Sequence, residues 1–202
     1  GRTLIIGAVI GGSIICTDSK FINPEGDALD ATNAQVGGDV YLRSNFEAQG
    51  RVLLHGGKFG GNIEFGNSSL TNTEGESLLA ANVKVGGDVL MTDGSKFAGR
   101  VNLLSAEISR DFFLARCTIA APEEYAIRLG AIDIAGQLMA WQNEITGAVD
   151  LEGAHARRLL DDPETAWGAN KKQQIDLNEF SYDLIGLAPG AKRPIWKHRI
   201  AW

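Results

Sequence analysis

A five-residue pattern recurs along the chain: an apolar residue, two small residues, a polar residue and a second apolar residue. Four copies with a Gly-Gly pair occupy positions 10–14, 36–40, 59–63 and 85–89, and two degenerate copies occupy 108–112 and 134–138. Their first residues are spaced by 26, 23, 26, 23 and 26 positions, so a long unit alternates with a short one. A period this regular predicts a repeat architecture.

A second marker supports the same phase. The dipeptide Gly-Arg occurs at positions 1, 50 and 99, so it recurs every 49 residues, the length of one long and one short unit. The pattern fades after Leu151. Because residue 1 falls inside a repeat, we expect the natural protein to continue upstream of it.

The repeat length favours one coil of a β-helix. A unit of 23–26 residues is too short for two packed helices but accommodates about three short strands and their turns. Alternate apolar positions after the marker would form two inward ladders, stacked at about 4.8 Å per coil. The sequence therefore predicts an all-β, right-handed parallel β-helix of about six coils in residues 1–155, followed by a C-terminal cap in residues 156–202.

The polar residue after each small pair forms a row that we term the polar ladder: Ser13, Asp39, Asn62, Asp88, Asp111 and Gln137. Side chains of this type at turns bond to backbone amides, which is the structural interpretation. In the functional alternative, Asp39, Asp88 and Asp111 line a cation or sugar site. The amide and hydroxyl rungs between the carboxylates would weaken such a site.

An outward-facing row is less polar than a solvated strand face should be. Its apolar members, the outer strip, are Ile15, Tyr41, Leu90, Phe113 and Met139, with Glu64 as the polar interruption. Either the strand phase differs locally, or a partner or another part of the protein covers this face. The outer strip is thus the candidate interaction surface.

The C-terminal segment differs in composition from the repeats. It is rich in aromatic residues, and a strand is predicted over 175–182. Because a solenoid end needs cover, we assign these residues to a cap. The alternative is a basic-aromatic patch for an acidic partner or lipid headgroups. The residues concerned are Trp167, Phe180, Tyr182, Trp196 and Trp202 for the cap, and Lys192, Arg193, Lys197, His198 and Arg199 with Trp196 and Trp202 for the patch.

Composition and spacing reduce the number of plausible functions. The net charge is -6 with no basic stripe, which argues against a nucleic-acid partner. Cys16 and Cys117 are far apart and form no CxxC motif, so we interpret them as buried apolar residues. The histidines His55, His155 and His198 fit no triad or metal spacing. We predict no catalytic residue, no cofactor site and no metal site.

The Val-Gly-Gly-Asp-Val units at 36–40 and 85–89, the Gly-Arg-Val links at 50–52 and 99–101, and the segment 177–182 resemble a family of uncharacterised bacterial β-solenoid proteins. That family has repeated VGGDVxL and IGGxL coils and a closing LDLxGFxY … RxAW element. The resemblance covers nearly the whole chain and implies a bacterial β-solenoid. Some members are labelled membrane-associated oxidoreductases, but this chain has no GxGxxG, CxxC or metal spacing to support that activity.

Three functions follow as hypotheses. The first is a non-enzymatic structural or interaction scaffold that binds a protein partner or a second copy of itself. The alternative is a carbohydrate-binding or carbohydrate-active β-helix that uses Asp39, Asp88 and Asp111 with Tyr41, or Trp141 with Glu144. A second alternative is an acidic nucleic-acid mimic.

The expected location is the cytoplasm or the membrane periphery of a bacterium. No transmembrane segment is expected, because the apolar stretch 3–16 is shorter than the roughly 20 residues that span a bilayer.

Overall fold

The computed structural model describes residues 1–162, 164–167 and 175–190, and of residues 122–124 the backbone alone. All regular structure in these residues is β-strand. The strands are β1 (Thr3–Leu4), β2 (Val9–Ile10), β3 (Ile14–Ile15), β4 (Lys20–Asp30), β5 (Gln35–Val36), β6 (Val40–Tyr41), β7 (Phe46–Leu53), β8 (Lys58–Phe59), β9 (Ile63–Gly66), β10 (Ser68–Leu79), β11 (Lys84–Val85), β12 (Val89–Thr92), β13 (Lys96–Asn102), β14 (Glu107–Ile108), β15 (Phe112–Ala115), β16 (Thr118–Arg128), β17 (Asp133–Trp141), β18 (Glu144–Asp150), β19 (His155–Asp161), β20 (Ile175–Asp176) and β21 (Ser181–Leu187).

The strands form two parallel sheets that wind around one core. The first sheet has the order β1-β4-β7-β10-β13-β16-β18-β20, so each coil contributes one strand to it. The second sheet contains the two shorter strands of each coil, which merge into one strand from β17 onwards. The predicted parallel β-solenoid is confirmed, but it has about seven turns rather than about six.

The extra turn arises because strand pairing continues where the glycine pattern fades. The first residues of the five-residue pattern, which we call the marker row, pair from coil to coil. The row begins at Ile10 and continues through Ile134 to Ala156 and then to Tyr182. Ala156 and Leu159 are fully buried, so the inward apolar positions persist without the glycines. The division at residue 155 stays a prediction, and strand pairing runs across it.

The two inward ladders fill the core as expected. In the second sheet Val40, Ile63, Val89, Phe112 and Leu138 stack on successive coils and are nearly inaccessible to solvent. The neighbouring ladder, two residues further along each strand, is equally buried from Leu42 to Ala140. Each large apolar side chain buried in this way contributes about 1.5–3 kcal/mol relative to exposure.

The alternation of long and short coils has its origin in the first sheet. Ile22 pairs with Gln49 and Asp27 with Arg51, so five residue steps in β4 lie against two steps in β7. The three additional residues form a bulge. Asn23 Nδ2 closes it by donating to Asp27 O at 2.9 Å, and Asn72 makes the equivalent bond in β10.

Glycine is required on the short coil next to each bulge. Gly50 has φ +108°, and a Cβ on it would overlap the carbonyl oxygens of Asn23 and Gly26. Gly99 has φ +126° and faces the carbonyl oxygens of Asn72 and Gly75 in the same way. This contact explains why the Gly-Arg marker recurs every second coil.

Two turns recur along the stack with left-handed backbone, and Asn, Asp and Gly occupy most of them in the first four coils. After the first-sheet strand, Asn33 has φ 57° and Gly56 has φ 65°. After the second-sheet strands, Asn45 and Asn67 have φ 66° and 50°. The small polar side chains tolerate this conformation and bond along the stack, as Asn67 does to Asn45 at 2.9 Å.

The C-terminal end is partly described. Trp167 is buried against the core, Phe180 is partly buried, and Tyr182 is 41% exposed. Phe180 and Tyr182 pack with ring centroids 5.8 Å apart. The other predicted cap and patch residues, Trp196, Trp202, Lys192, Arg193, Lys197, His198 and Arg199, lie outside the described residues.

Candidate functional site

The polar ladder forms a continuous row of hydrogen bonds between coils, which we call the seam. Asp39 Oδ1 accepts a hydrogen bond from the amide of Asn62 at 2.7 Å, and Asn62 Oδ1 accepts one from the amide of Asp88 at 2.8 Å. The same contact links Ser13 to Asp39, Asp88 to Asp111 and Asp111 to Gln137. The amide lies on the next coil rather than in the local turn, so each rung ties two coils together.

The second oxygens of the carboxylates have partners as well. Asp39 Oδ2 accepts from Tyr41 Oη at 2.8 Å, and Asp111 Oδ2 lies 3.3 Å from Gln137 Nε2. Asp88 differs, because Arg110 Nε forms an ion pair at 3.5 Å with Oδ1, the oxygen that already accepts from the Asp111 amide. The hydrogen bond from the Asn62 amide, followed by that from Tyr41, holds the pKa of Asp39 below its usual value. The ladder carboxylates therefore act first as acceptors within the seam.

The second glycine of each pair makes room for this seam. A Cβ on Gly61 would overlap the carboxylate of Asp39, and one on Gly87 would overlap the side-chain oxygen of Asn62. The first glycine has a different neighbour, because a Cβ on Gly60 would lie 2.5 Å from the carbonyl oxygen of Gly37. The glycines thus permit close stacking of coils.

The outer strip stacks on one face of the second sheet. Ile15 pairs with Tyr41, Leu90 with Phe113, and Phe113 with Met139. Ile15 is 69% exposed on the first coil, whereas Met139 is buried by its neighbours. The strand phase is the predicted one, so a local phase shift does not explain the apolar row.

The two halves of this face differ chemically. Near the beginning of the chain, Tyr41 donates to Asp39 and carries the Arg43 guanidinium 4.3 Å from its ring centroid. Arg43 also forms an ion pair with Glu64 at 2.5 Å. Sequence reasoning placed Tyr41 in the apolar strip, but the structure engages it in a polar network.

The apolar half of the strip is the part from Leu90 to Leu160. Leu90, Phe113 and Met139 stack in register, and Leu160 extends the row on the next coil. Trp141 lies two residues beyond Met139 on the same strand, half-buried and paired with Ala115. Leu90, Phe113, Trp141 and Leu160 are partly exposed and Met139 is buried, so the half-strip is a partly exposed row of large apolar side chains.

Trp141 and Glu144 lie on different sheets. Trp141 belongs to the second sheet and Glu144 to the first, on either side of a turn. Glu144 is exposed and lies 3.5 Å from Thr118 Oγ1.

A shallow groove of about 550 Å³ runs along the corner at the first glycines. Gly11, Gly37, Gly60 and Gly86 line it along successive coils. Lys58 and Lys84, which also line the groove, pair in register, and Lys84 binds Glu107 at 2.7 Å. The groove is open to solvent along its length, so it does not enclose a ligand.

Sequence reasoning did not identify Asn143, a buried polar residue that connects three coils. Its Nδ2 donates to Leu114 O at 2.8 Å and to Ala166 O at 2.9 Å, and its Oδ1 accepts from the Cys117 amide at 3.0 Å. Every polar atom of the side chain is satisfied, so the role is structural.

The cysteines lie in the core, as expected. Cys16 and Cys117 are free thiols and are buried. Burial raises the pKa of Cys16, and it raises that of Cys117 to about 12. A thiol in this state is a poor nucleophile and a poor metal ligand.

In the part of the chain that the structure describes, no group of three or more His, Cys, Asp or Glu side chains is arranged to hold a metal ion. Among the same residues no helix has the length and apolar character to cross a membrane. The fold and its ladders define the class of the protein: an all-β parallel solenoid built from stacked repeats. Comparison with protein-family models, with curated proteins and with solved structures finds no match to this chain.

Proposed function

We propose that the chain is a non-enzymatic interaction scaffold and that a protein partner docks on the apolar half of the outer strip. The observation that carries this proposal is the in-register row Leu90, Phe113, Met139 and Leu160 on an outward strand face. Leu90, Phe113 and Leu160 are partly exposed, whereas Met139 is buried beneath its neighbours. An outward face is normally polar, and contiguous apolar patches are typical of protein interaction sites. The resemblance to the bacterial VGGDVxL-repeat family is part of the same proposal and suggests a site of action in the cytoplasm or at the membrane periphery.

The engagement of the ladder carboxylates favours a scaffold over a carbohydrate-active role. Hydrolysis of a glycosidic bond needs two carboxyl groups that are available to the substrate. Asp39, Asp88 and Asp111 instead accept hydrogen bonds from backbone amides, and Asp39 also binds Tyr41. Substrate would have to displace contacts that join the coils.

The test compares capture of partners by two single variants. Phe113→Asp places a charge at the centre of the apolar half, and Thr71→Asp places the same charge on the exposed face of the first sheet. Both variants are confirmed as folded by circular dichroism and thermal unfolding. The wild-type chain, tagged in its native cell, is then cross-linked, purified and compared with each variant by quantitative mass spectrometry.

The proposal requires a captured protein, or a second copy of the chain, that is lost with Phe113→Asp and retained with Thr71→Asp. A bound species whose recovery is equal in the two variants would contradict docking at this surface, and so would the absence of any strip-dependent species. Leu90→Asp serves as an independent second variant, since it lies one coil away on the same row.

A further inference from the structure

The last described strand of the second sheet is held from one side. β21 pairs with β19 through six residue pairs and has no other strand neighbour among the described residues. Tyr182, Leu184 and Ile185 are each exposed by 41–50%. An edge strand with few buried contacts opens locally at a lower free energy than the core does. Small contacts at this edge therefore decide how often it opens.

A histidine connects this strand to two preceding coils. His155 on β19 places Nδ1 at 3.0 Å from Asp133 Oδ1 on β17. Its Nε2 lies 3.9 Å from Asp183 Oδ1 on β21. The imidazole thus lies between two carboxylates, one on the body of the solenoid and one on the edge strand.

Protonation of the imidazole changes the contact between Nε2 and the Asp183 carboxylate from unfavourable to favourable. A neutral imidazole has one N–H, so the ring nitrogen that does not donate presents a lone pair. With Nδ1 donating to Asp133, the lone pair of Nε2 faces the carboxylate of Asp183, which is unfavourable. An imidazolium donates from both nitrogens and attracts both carboxylates.

We propose that protonated His155 bridges Asp133 and Asp183 and thereby holds β21 against the body of the solenoid. We call this proton-dependent contact the clasp. The clasp is closed when the imidazole is protonated and is lost when the imidazole is neutral. The inference is independent of the proposed docking site, because it concerns how firmly the end of the repeat is attached.

The other charged groups near this contact are an arginine and a glutamate that is already paired. Arg157 lies on β19 at the register position of Asp183 and is a permanent cation near the same carboxylate. On the coil before Asp133, Glu107 occupies the equivalent position and is paired with Lys84 at 2.7 Å. Of the side-chain types at this contact, histidine is the one whose ordinary pKa lies closest to neutrality.

The experiment measures amide hydrogen exchange of residues 181–187 at about pH 5.5 and about pH 7.5, one unit to either side of the usual value for histidine. After correction for intrinsic exchange rates, the wild-type segment is expected to open about two- to fivefold less often at the lower pH, as an exposed ion pair would give. His155→Gln and Asp183→Asn should each remove this difference.

Two controls separate the clasp from general pH effects. His55→Gln removes a histidine in a distant turn and should leave the pH difference intact. Arg157→Gln should change the opening rate equally at both pH values. A pH difference that survives in His155→Gln, or its absence in the wild-type chain, would overturn the proposal.

Discussion

The carboxylate of Asp39 accepts a hydrogen bond from the backbone amide of Asn62, one coil further along, across 2.7 Å. Side chain and amide belong to equivalent positions of neighbouring coils. The side chain of each ladder residue accepts from the amide of the next coil, and its own amide donates to the side chain of the coil before. The ladder is therefore a property of the stack and not of a single turn. Its chemistry can be tested one rung at a time.

Removal of the acceptor at one rung should destabilise the solenoid. Asp39→Ala leaves the Asn62 amide without its partner, and we expect the free energy of unfolding to fall by about 1–3 kcal/mol. Asp39→Asn keeps an acceptor oxygen for this amide, as Asn62 itself shows on the next coil, so it should lose less stability at neutral pH than Asp39→Ala. Urea unfolding measures both values, and equal losses in the two variants would contradict the assigned role.

The same aspartate should contribute to acid sensitivity. Its pKa is lowered in the folded chain by the hydrogen bonds from Asn62 and Tyr41. A lowered folded value means that the stabilisation is present above the unfolded value of about 3.9 and is lost as the pH falls through the folded value. Thermal unfolding of Asp39→Asn below about pH 4 should show a shallower pH dependence than the wild-type chain. Parallel curves would exclude this contribution.

The second glycine of a pair should tolerate a methyl group only where no ladder side chain lies above it. Gly61→Ala drives a Cβ into the Asp39 carboxylate, and we expect a loss of about 1–3 kcal/mol from overpacking. Gly12→Ala is the matched control, because a Cβ at that position would have no neighbouring atom within 4 Å. Chemical unfolding of the two variants should separate them clearly, and equal stability would show that the steric argument is wrong.

Asn143 should be among the most sensitive polar positions. Asn143→Asp replaces a donor by an oxygen that faces the carbonyls of Leu114 and Ala166, and Asn143→Leu removes the hydrogen bonds to both carbonyls and to the Cys117 amide. We expect either change to cost several times the roughly 1 kcal/mol of an ordinary hydrogen bond. Differential scanning calorimetry gives the measurement, with Gln142→Ala at the neighbouring, more accessible position as the control.

The two thiols should resist modification until the chain unfolds. The pKa of Cys117 is raised to about 12 by burial, and that of Cys16 is also raised. At about pH 8 almost no thiolate is present at Cys117, so alkylation by iodoacetamide should be slow in buffer and fast in denaturant. Intact-mass measurements over time distinguish the two regimes. Rapid double labelling of the native protein would contradict the burial.

The repeat and its phase could be predicted from the sequence because Gly-Gly pairs mark four coils and the inward apolar residues continue the same spacing beyond them. The number of turns could not, since the marker row continues through Ala156 and Tyr182 without glycines. Ala156 and Tyr182 keep the strand pairing of the row. In the sequence, however, two such residues without neighbouring glycines are too weak a pattern to identify as a repeat.

The outer strip was predicted as one surface, and the structure divides it. The ladder register is readable from periodicity, but the contacts of Tyr41 with Asp39 and Arg43 depend on which side chains meet across strands and coils. The same limit applies to Asn143, whose partners lie on two other coils. Long-range pairing of polar groups has no local sequence signature comparable to the spacing of glycines.

The bulge on every second coil makes the pair of coils the indivisible unit of duplication. Insertion or deletion of 49 residues would leave each bulge above a glycine such as Gly50 and every ladder in register. Loss of a single coil would instead bring two bulged coils together, and one bulge would meet a strand that has no glycine to receive it. Lineages of such a chain should therefore differ in length by multiples of two coils.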